Sequence, residues 1–183
     1  LGKTVQTLAA VKQFRVCGEK RPILLICPTS VIENWRRETE KFVPGMETLI
    51  HHGAARRKKN LFTNEQLENK LVISSYALLS RDNAMLGKID WAGIILDEAQ
   101  TIKNPDTHQS RAARSLHADW RLALTGTPVE NHVGDMWSLM EFLMPGLMPN
   151  KTKFSREILR PVQSGEKKAM DRVRHMTQPF ILR

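Results

Sequence analysis

Cysteine is nearly absent from this chain. Cys17 and Cys27 are the only two among 183 residues, and no second pair accompanies them, which excludes a disulfide framework and a cysteine-based zinc site. Both are expected to be packing residues in a reducing compartment. Long apolar runs are missing as well. None approaches the ~18 residues of a membrane-crossing helix, and no signal peptide opens the sequence, so the expectation is a soluble, intracellular chain. There is no internal repeat and no low-complexity segment. Acidic residues are the minority charge, 19 against 28 Lys and Arg, for a formal net charge of +9. That balance is compatible with a polyanion partner and equally with an ordinary solvated surface. The apolar material present, 41% of the residues, is enough for one domain with a real core.

The most informative stretch is Ile94-Ile95-Leu96-Asp97-Glu98-Ala99-Gln100, an apolar run that stops at two adjacent carboxylates. Such a run predicts a strand buried on both faces, with the acids at its carboxyl end. In a parallel α/β sheet that is the end where ligands bind. Paired acids there suit nucleotide hydrolysis, one orienting waters around a magnesium ion and the next polarising the attacking water. Taken alone, the heptapeptide is equally a helix N-cap followed by a first-turn acid.

The chain opens with Leu1-Gly2-Lys3-Thr4 and runs into a helical pattern through Val5, Leu8, Ala9 and Phe14. Gly-Lys-Thr entering a helix is the second half of a phosphate-binding loop. Helix-start amides would cradle phosphate oxygens, Lys3 would reach the β- and γ-phosphates, and Thr4 would place its hydroxyl on magnesium. Because the glycine-rich first half of such a loop is not in the sequence, the chain reads as a piece of a longer polypeptide.

Strands alternate with helices along the rest. Pro22 to Pro28, Thr48 to His51, Leu71 to Ser75, the Asp97 run and Arg121 to Leu124 read as strands. Helices are predicted after Thr29-Ser30, which would cap the first of them through Trp35 and Phe42, from Gln109 to Leu116, and from His132 to Leu143. This pattern indicates βαβ units and a mostly parallel sheet. The methionines of the last helix fit core packing better than a binding surface. Arg56 to Lys59 reads as a solvated basic face, and His51 and His52 as surface residues at a strand end. Beyond Gly146 the chain is basic and irregular, with one helix near Lys167 to Met176 and an extended end at Pro179 to Arg183.

Six strings in this order resemble one family: Gly2-Lys3-Thr4; Cys27-Pro28-Thr29-Ser30-Val31 with Asn34-Trp35; Ser74-Ser75-Tyr76; Leu96 to Gln100 with Ile102-Lys103-Asn104; Leu124 to Pro128 with Glu130-Asn131; and Pro179 to Arg183. They resemble the sucrose-non-fermenting (SWI/SNF-like) helicase-related ATPases, the motors of chromatin remodellers and their bacterial relatives. The short join from Asn131 to Gly146 looks more like the bacterial members.

The resemblance implies a RecA-like P-loop lobe, α/β with a mostly parallel sheet flanked by helices and truncated at its amino-terminal edge. Residues 1–146 would form the lobe and 147–183 an extension toward a second RecA-like lobe. It implies ATP and Mg2+ as cofactors, double-stranded DNA as partner and no membrane. The location would be cytoplasmic near the nucleoid in a bacterium, or nuclear in a eukaryote. Position by position, Gly2, Lys3 and Thr4 match the phosphate contacts, Thr4 and Asp97 the magnesium contacts and Glu98 the base. Gln100 matches the residue that couples ATP state to the neighbouring lobe. Thr125, Gly126 and Thr127 match the link between hydrolysis and movement, or else form a helix-leading turn. Thr29, Ser30, Ser75, Tyr76, Lys103 and Asn104 match segments that touch a DNA backbone. Against that stand simpler roles: Ser30 as an N-cap, Trp35 as core and Lys103 as a surface charge. Rival readings are a catalytically inactive DNA-binding or scaffolding module of the same fold, and the lobe of an RNA helicase.

Overall fold

The computed structural model describes residues 2–53, 62–126 and 133–181. Its strands are β1 (Ile23–Cys27), β2 (Glu47–His51), β3 (Lys70–Ser75), β4 (Trp91–Leu96) and β5 (Ala118–Ala123). They form one sheet in the order β2-β3-β1-β4-β5, every pair parallel. The helices are α1 (Lys3–Val16), α2 (Ile32–Phe42), α3 (Asn64–Leu67), α4 (Tyr76–Arg81), α5 (Asn83–Leu86), α6 (His108–Ser115), α7 (Val133–Leu143), α8 (Lys151–Phe154), α9 (Arg160–Gln163) and α10 (Lys167–Thr177).

Central strands β1 and β4 are buried along their whole length, as expected for apolar runs covered by helices on both sides. Alternate residues feed two cores. Ile23, Leu25, Cys27 and Ile95 pack with Leu8, Val11, Ile32 and Trp35 of α1 and α2. Leu24, Ile26, Ile94 and Leu96 pack with Tyr76, Leu79, Leu86, Ala113 and Phe142 from α4 to α7. Gly18 (φ 92) stops α1 in the left-handed region where a Cβ is strained, whereas α2 and α7 run into Pro-Gly turns in which Gly45 (φ 91) and Gly146 (φ 83) take the third position.

One close approach fixes the β4–β5 pair. Gly93 lies in register with Trp120, whose indole spreads over it and stacks on Phe14 of α1 at a centroid distance of 4.8 Å. A Cβ at Gly93 would meet Trp120 at 2.1 Å. Gly93→Ala is therefore expected to push the ring off Phe14 and destabilise the fold by about 1–3 kcal/mol, read as a lower urea midpoint.

The amino edge of the sheet is tied by charge. Arg21 pairs with Glu19 at 2.7 Å, Asp119 at 2.5 Å and Asp90 at 3.5 Å. Hydrogen bonding from Arg21 lowers the Glu19 carboxyl from its ordinary 4.5 to about 2. A depressed acid stabilises the folded chain above its unfolded pKa, and that contribution is lost as pH falls toward about 2. Glu19→Gln should narrow the gap between urea midpoints measured at pH 7 and pH 3, modestly because the pair is partly solvated.

Several expectations need correction. Thr29 and Ser30 do not cap α2: they lie inside a 3-10 turn, Thr29–Val31, and neither that turn nor α2 has a side-chain cap. His51 is fully buried, with Nε2 2.9 Å from an Asp82 carboxylate oxygen and its ring against Phe62, so the end of β2 is covered by the ends of other elements rather than facing solvent. Cys27 is buried as expected, but Cys17 is exposed at the end of α1. The segment after Gly146 is more helical than expected: α10 matches the helix expected near Lys167 to Met176, and the part before it, expected to be irregular, is helical as well. A π-helical stretch, Ser155–Leu159, joins α8 to α9 in one continuous helical path, and Pro161 removes one N–H from that path just beyond the π-helical turn. These helices pack on α7 through Met136, Met140, Phe154, Ile158 and Val173, and Trp137 Nε1 donates to the Pro149 carbonyl at 2.8 Å. Of the extended end expected at Pro179 to Arg183, Pro179 and Phe180 lie in a 3-10 turn, Gln178–Phe180, while Ile181 is extended. The Arg56 to Lys59 run lies outside the described residues.

Candidate nucleotide site

Because all five strands are parallel, their carboxyl ends share one edge, and the predicted residues follow from it. Asp97 and Glu98 come directly after β4, Ser75 ends β3, Thr29 and Ser30 follow β1, and Thr125 and Gly126 follow β5. Helix α1 returns to the amino edge before β1. Its 14 residues rise ~21 Å, more than the ~17 Å of a five-residue strand, so its first turn stands at the same carboxyl edge. Gly2 begins that turn at φ 88, and its carbonyl accepts from the Gln6 N–H at 3.0 Å. Lys3 and Thr4 are the first two helical residues, both half-buried. Lys3 and Thr125 lie at the polar side of a cavity of about 310 Å³ between α1, β5 and α7, whose other walls are mostly apolar, Leu122, Met136, Leu139 and Phe180 among them; Thr4, Asp97 and Glu98 are not on its lining.

The acidic pair is held by a chain of hydrogen bonds. The Asp97 N–H donates to the Ile26 carbonyl at 2.8 Å, which extends the β1 ladder one step and aims the side chain outward. Of its carboxylate oxygens, Oδ1 accepts the Glu98 N–H at 2.9 Å and Oδ2 accepts the Trp35 indole N–H at 2.8 Å. Tyr76 donates its hydroxyl to the Asp97 carbonyl at 2.8 Å. Glu98 then adopts φ 52, a strained conformation for a side chain with a Cβ, of the kind that clusters at functional sites. Its Oε2 accepts from Gln100 Nε2 at 2.5 Å, and Gln100 Oε1 accepts from the Thr125 hydroxyl at 2.8 Å. The acidic box is thereby joined to the turn after β5. The backbone repeats the link: Leu124 N–H donates to the Leu96 carbonyl at 2.7 Å and Ala99 N–H to the Leu124 carbonyl at 2.8 Å. Burial and the nearby Asp97 push the Cys27 thiol up to about 12, and the same two causes raise the Tyr76 phenol. Both stay protonated, and neither is a nucleophile.

Of the residues expected at DNA, four are exposed: Thr29, Ser30, Lys103 and Asn104. Lys103 lies 3.6 Å from Asp135 of α7, and Asn104 Oδ1 accepts the Asp106 N–H at 3.0 Å. The Ile102 carbonyl before them is pinned by the hydroxyls of Ser110 and Ser138 at 3.1 and 2.6 Å, with Arg114 donating to both serines. The other two lie deeper than their motif suggests. Ser75 and Tyr76 are only 2% and 5% exposed, because β3 is an inner strand whose end is covered by α4. Tyr76 is a strut under the acidic box, and the buried Ser75 hydroxyl has no hydrogen-bond partner among the described residues. Thr127 lies outside the described residues, as do Pro128, Glu130 and Asn131. Among the described residues no cluster of three or more His, Cys, Asp or Glu forms a metal cage.

Comparison with known proteins now decides the family. A profile of the SNF2-related domain matches residues 1–183, the whole chain. The chain belongs to the SNF2-related family. Among relatives of this SNF2-related chain is YwqA of Bacillus subtilis, an ATP-dependent helicase/translocase by name, 37% identical over 185 residues that cover all of this chain and 20% of YwqA. The chromatin-remodeling ATPase INO80 of Neosartorya fischeri is 34% identical over 201 residues, all of this chain and 12% of INO80. Among solved structures, the Sulfolobus solfataricus SWI2/SNF2 ATPase core in complex with dsDNA superimposes with a TM-score of 0.90 at 39% identity. That match covers all of this chain and 38% of the other. The same organism's SWI2/SNF2 ATPase core domain gives a TM-score of 0.86 at 38% identity, covering all of this chain and 36% of the other. The SNF2-related chain thus has the RecA-like fold of those cores and spans a fifth or less of the curated relatives named here.

Sequence reasoning placed Asp97, Glu98 and Gln100 on the carboxyl edge but overlooked what braces them. Trp35 and Tyr76 each lie within a motif, and nothing in the sequence around them marks either as the support of Asp97.

Proposed function

We propose that this chain is the first, ATP-binding lobe of a DNA-dependent ATPase that translocates on duplex DNA and remodels protein–DNA complexes. The observation that carries this reading is the unbroken relay Trp35–Asp97–Glu98–Gln100–Thr125 at the sheet's carboxyl edge, with Thr125 and Lys3 lining one cavity. A site so built holds a triphosphate between a helix amino terminus and a fixed pair of acids.

In this reading Lys3 and the amides after Gly2 bind the phosphates. Glu98 accepts the proton of the attacking water, held in place by Gln100. The donor set suits magnesium: each Asp97 oxygen takes one hydrogen bond and keeps lone pairs for metal-bound water, and Thr4 offers a hydroxyl. Magnesium is commonly held by one or two carboxylates together with substrate phosphates, so a cage of protein ligands is not required. The bound ion would supply charge neutralisation at the transferring phosphate. Thr125 and Gly126, with Thr127, would transmit the state of Gln100 to a second lobe. Thr29, Ser30, Lys103 and Asn104 would hold the DNA backbone without reading sequence. The location would be the nucleoid in a bacterial cell and the nucleus in a eukaryotic one.

Phosphate release by the full-length protein tests the reading. Duplex DNA should stimulate turnover more than single-stranded DNA or RNA. Preferential stimulation by RNA would make this an RNA helicase lobe, and absence of nucleotide binding would make it a scaffolding module.

A further inference from the structure

Trp35 stands in the first turn of α2, 2% exposed, and packs with Ile23, Leu25, Cys27 and Ile95 in the core under α1 and α2. A buried indole N–H needs an acceptor. The one it takes is Oδ2 of Asp97 at 2.8 Å, while the Glu98 N–H takes Oδ1 at 2.9 Å. The two donors are neutral. They fix the plane of the carboxylate and leave its negative charge intact, and neither is a long flexible cation that a solvent ion can displace. Trp35 has little freedom to drift, because its ring is enclosed and its helix is anchored to the sheet. A further fastening comes from Thr39, one turn along, whose hydroxyl donates to the Trp35 carbonyl at 2.8 Å.

We propose that Trp35 is a positioning residue for Asp97: its indole N–H orients the carboxylate for the magnesium ion of the nucleotide site. The inference rests on the reading of Asp97 as the magnesium-orienting acid. Groups that hold a metal's ligands in place commonly change metal affinity by about 10–100-fold when removed, so the contribution of Trp35 is measurable apart from its packing.

The test replaces the N–H alone. In the full-length protein, position 35 is filled with 3-benzothienylalanine, in which sulfur takes the place of the indole N–H at nearly the same volume. Trp35→Phe and Asp97→Asn serve as companions. Two quantities are read: the Mg2+ concentration giving half-maximal ATP turnover, and the affinity for Mn2+, a paramagnetic substitute, in the presence of a non-hydrolysable ATP analogue, by electron paramagnetic resonance. The benzothienyl protein should need about tenfold more metal in both, while its affinity for nucleotide without metal stays at the native value. Native metal dependence in the benzothienyl protein, with metal binding lost in Asp97→Asn, would overturn the role of Trp35 while leaving Asp97 in its own. Native metal dependence in Asp97→Asn as well would overturn the reading of Asp97 and this inference with it.

Discussion

Glu98→Gln in the full-length protein is expected to keep ATP bound while lowering its turnover by about a hundredfold to ten-thousandfold, the range of a lost general base. The substitution isolates the chemistry because the glutamine is nearly isosteric. Its side-chain oxygen can still accept from Gln100, whose amide now meets Oε2 at 2.5 Å, and the turn at φ 52 is unaltered. What disappears is a group able to take a proton from water. Titration with a fluorescent nucleotide, set beside phosphate release, separates the two quantities. Undiminished turnover would remove Glu98 from the role of base.

The second large effect concerns what the chain does by itself. The isolated 183 residues should turn over ATP at least about a thousandfold more slowly than the full-length protein with duplex DNA, because an arginine finger contributes that much or more. In the proposed reading the fingers would come from a second lobe of the parent protein, and this chain spans 20% of YwqA and 12% of INO80. Phosphate release by both proteins, with and without duplex DNA, measures the difference. Robust, DNA-independent turnover by the 183-residue chain would contradict it.

The sheet was legible because its central strands are covered on both faces. Continuous runs such as Ile23–Cys27 and Ile94–Leu96 have no solvated side, so their composition alone marks them. The acidic pair was legible for a related reason, since carboxylates that abruptly end such a run must emerge at the sheet's edge. Depth at that edge was not legible. Ser75 and Tyr76 look like polar residues leaving a strand, and their burial is decided by α4 folding back over β3, a tertiary event with no local signature. His51 shows the same limit, since its partner Asp82 is distant in sequence and arrives through α4. The part of the chain from Gly146 to Gly165 reads as irregular because its helical pieces are short and carry Pro161, and their order comes from packing against the methionines of α7 rather than from intrinsic propensity. Thr29-Ser30 resembles a capping pair in sequence, but the 3-10 turn places both residues inside the helical path.

The central claim is that Gly2-Lys3-Thr4 and Asp97-Glu98 serve one triphosphate, and a crystal structure of the full-length protein with Mg2+ and a non-hydrolysable ATP analogue tests it most directly. The expected density has the β- and γ-phosphates on the Lys3 ammonium, and the metal between the Thr4 hydroxyl and waters held by Asp97. A nucleotide seated elsewhere, or a Lys3 ammonium out of hydrogen-bonding reach of a triphosphate that Asp97 attends, would contradict it.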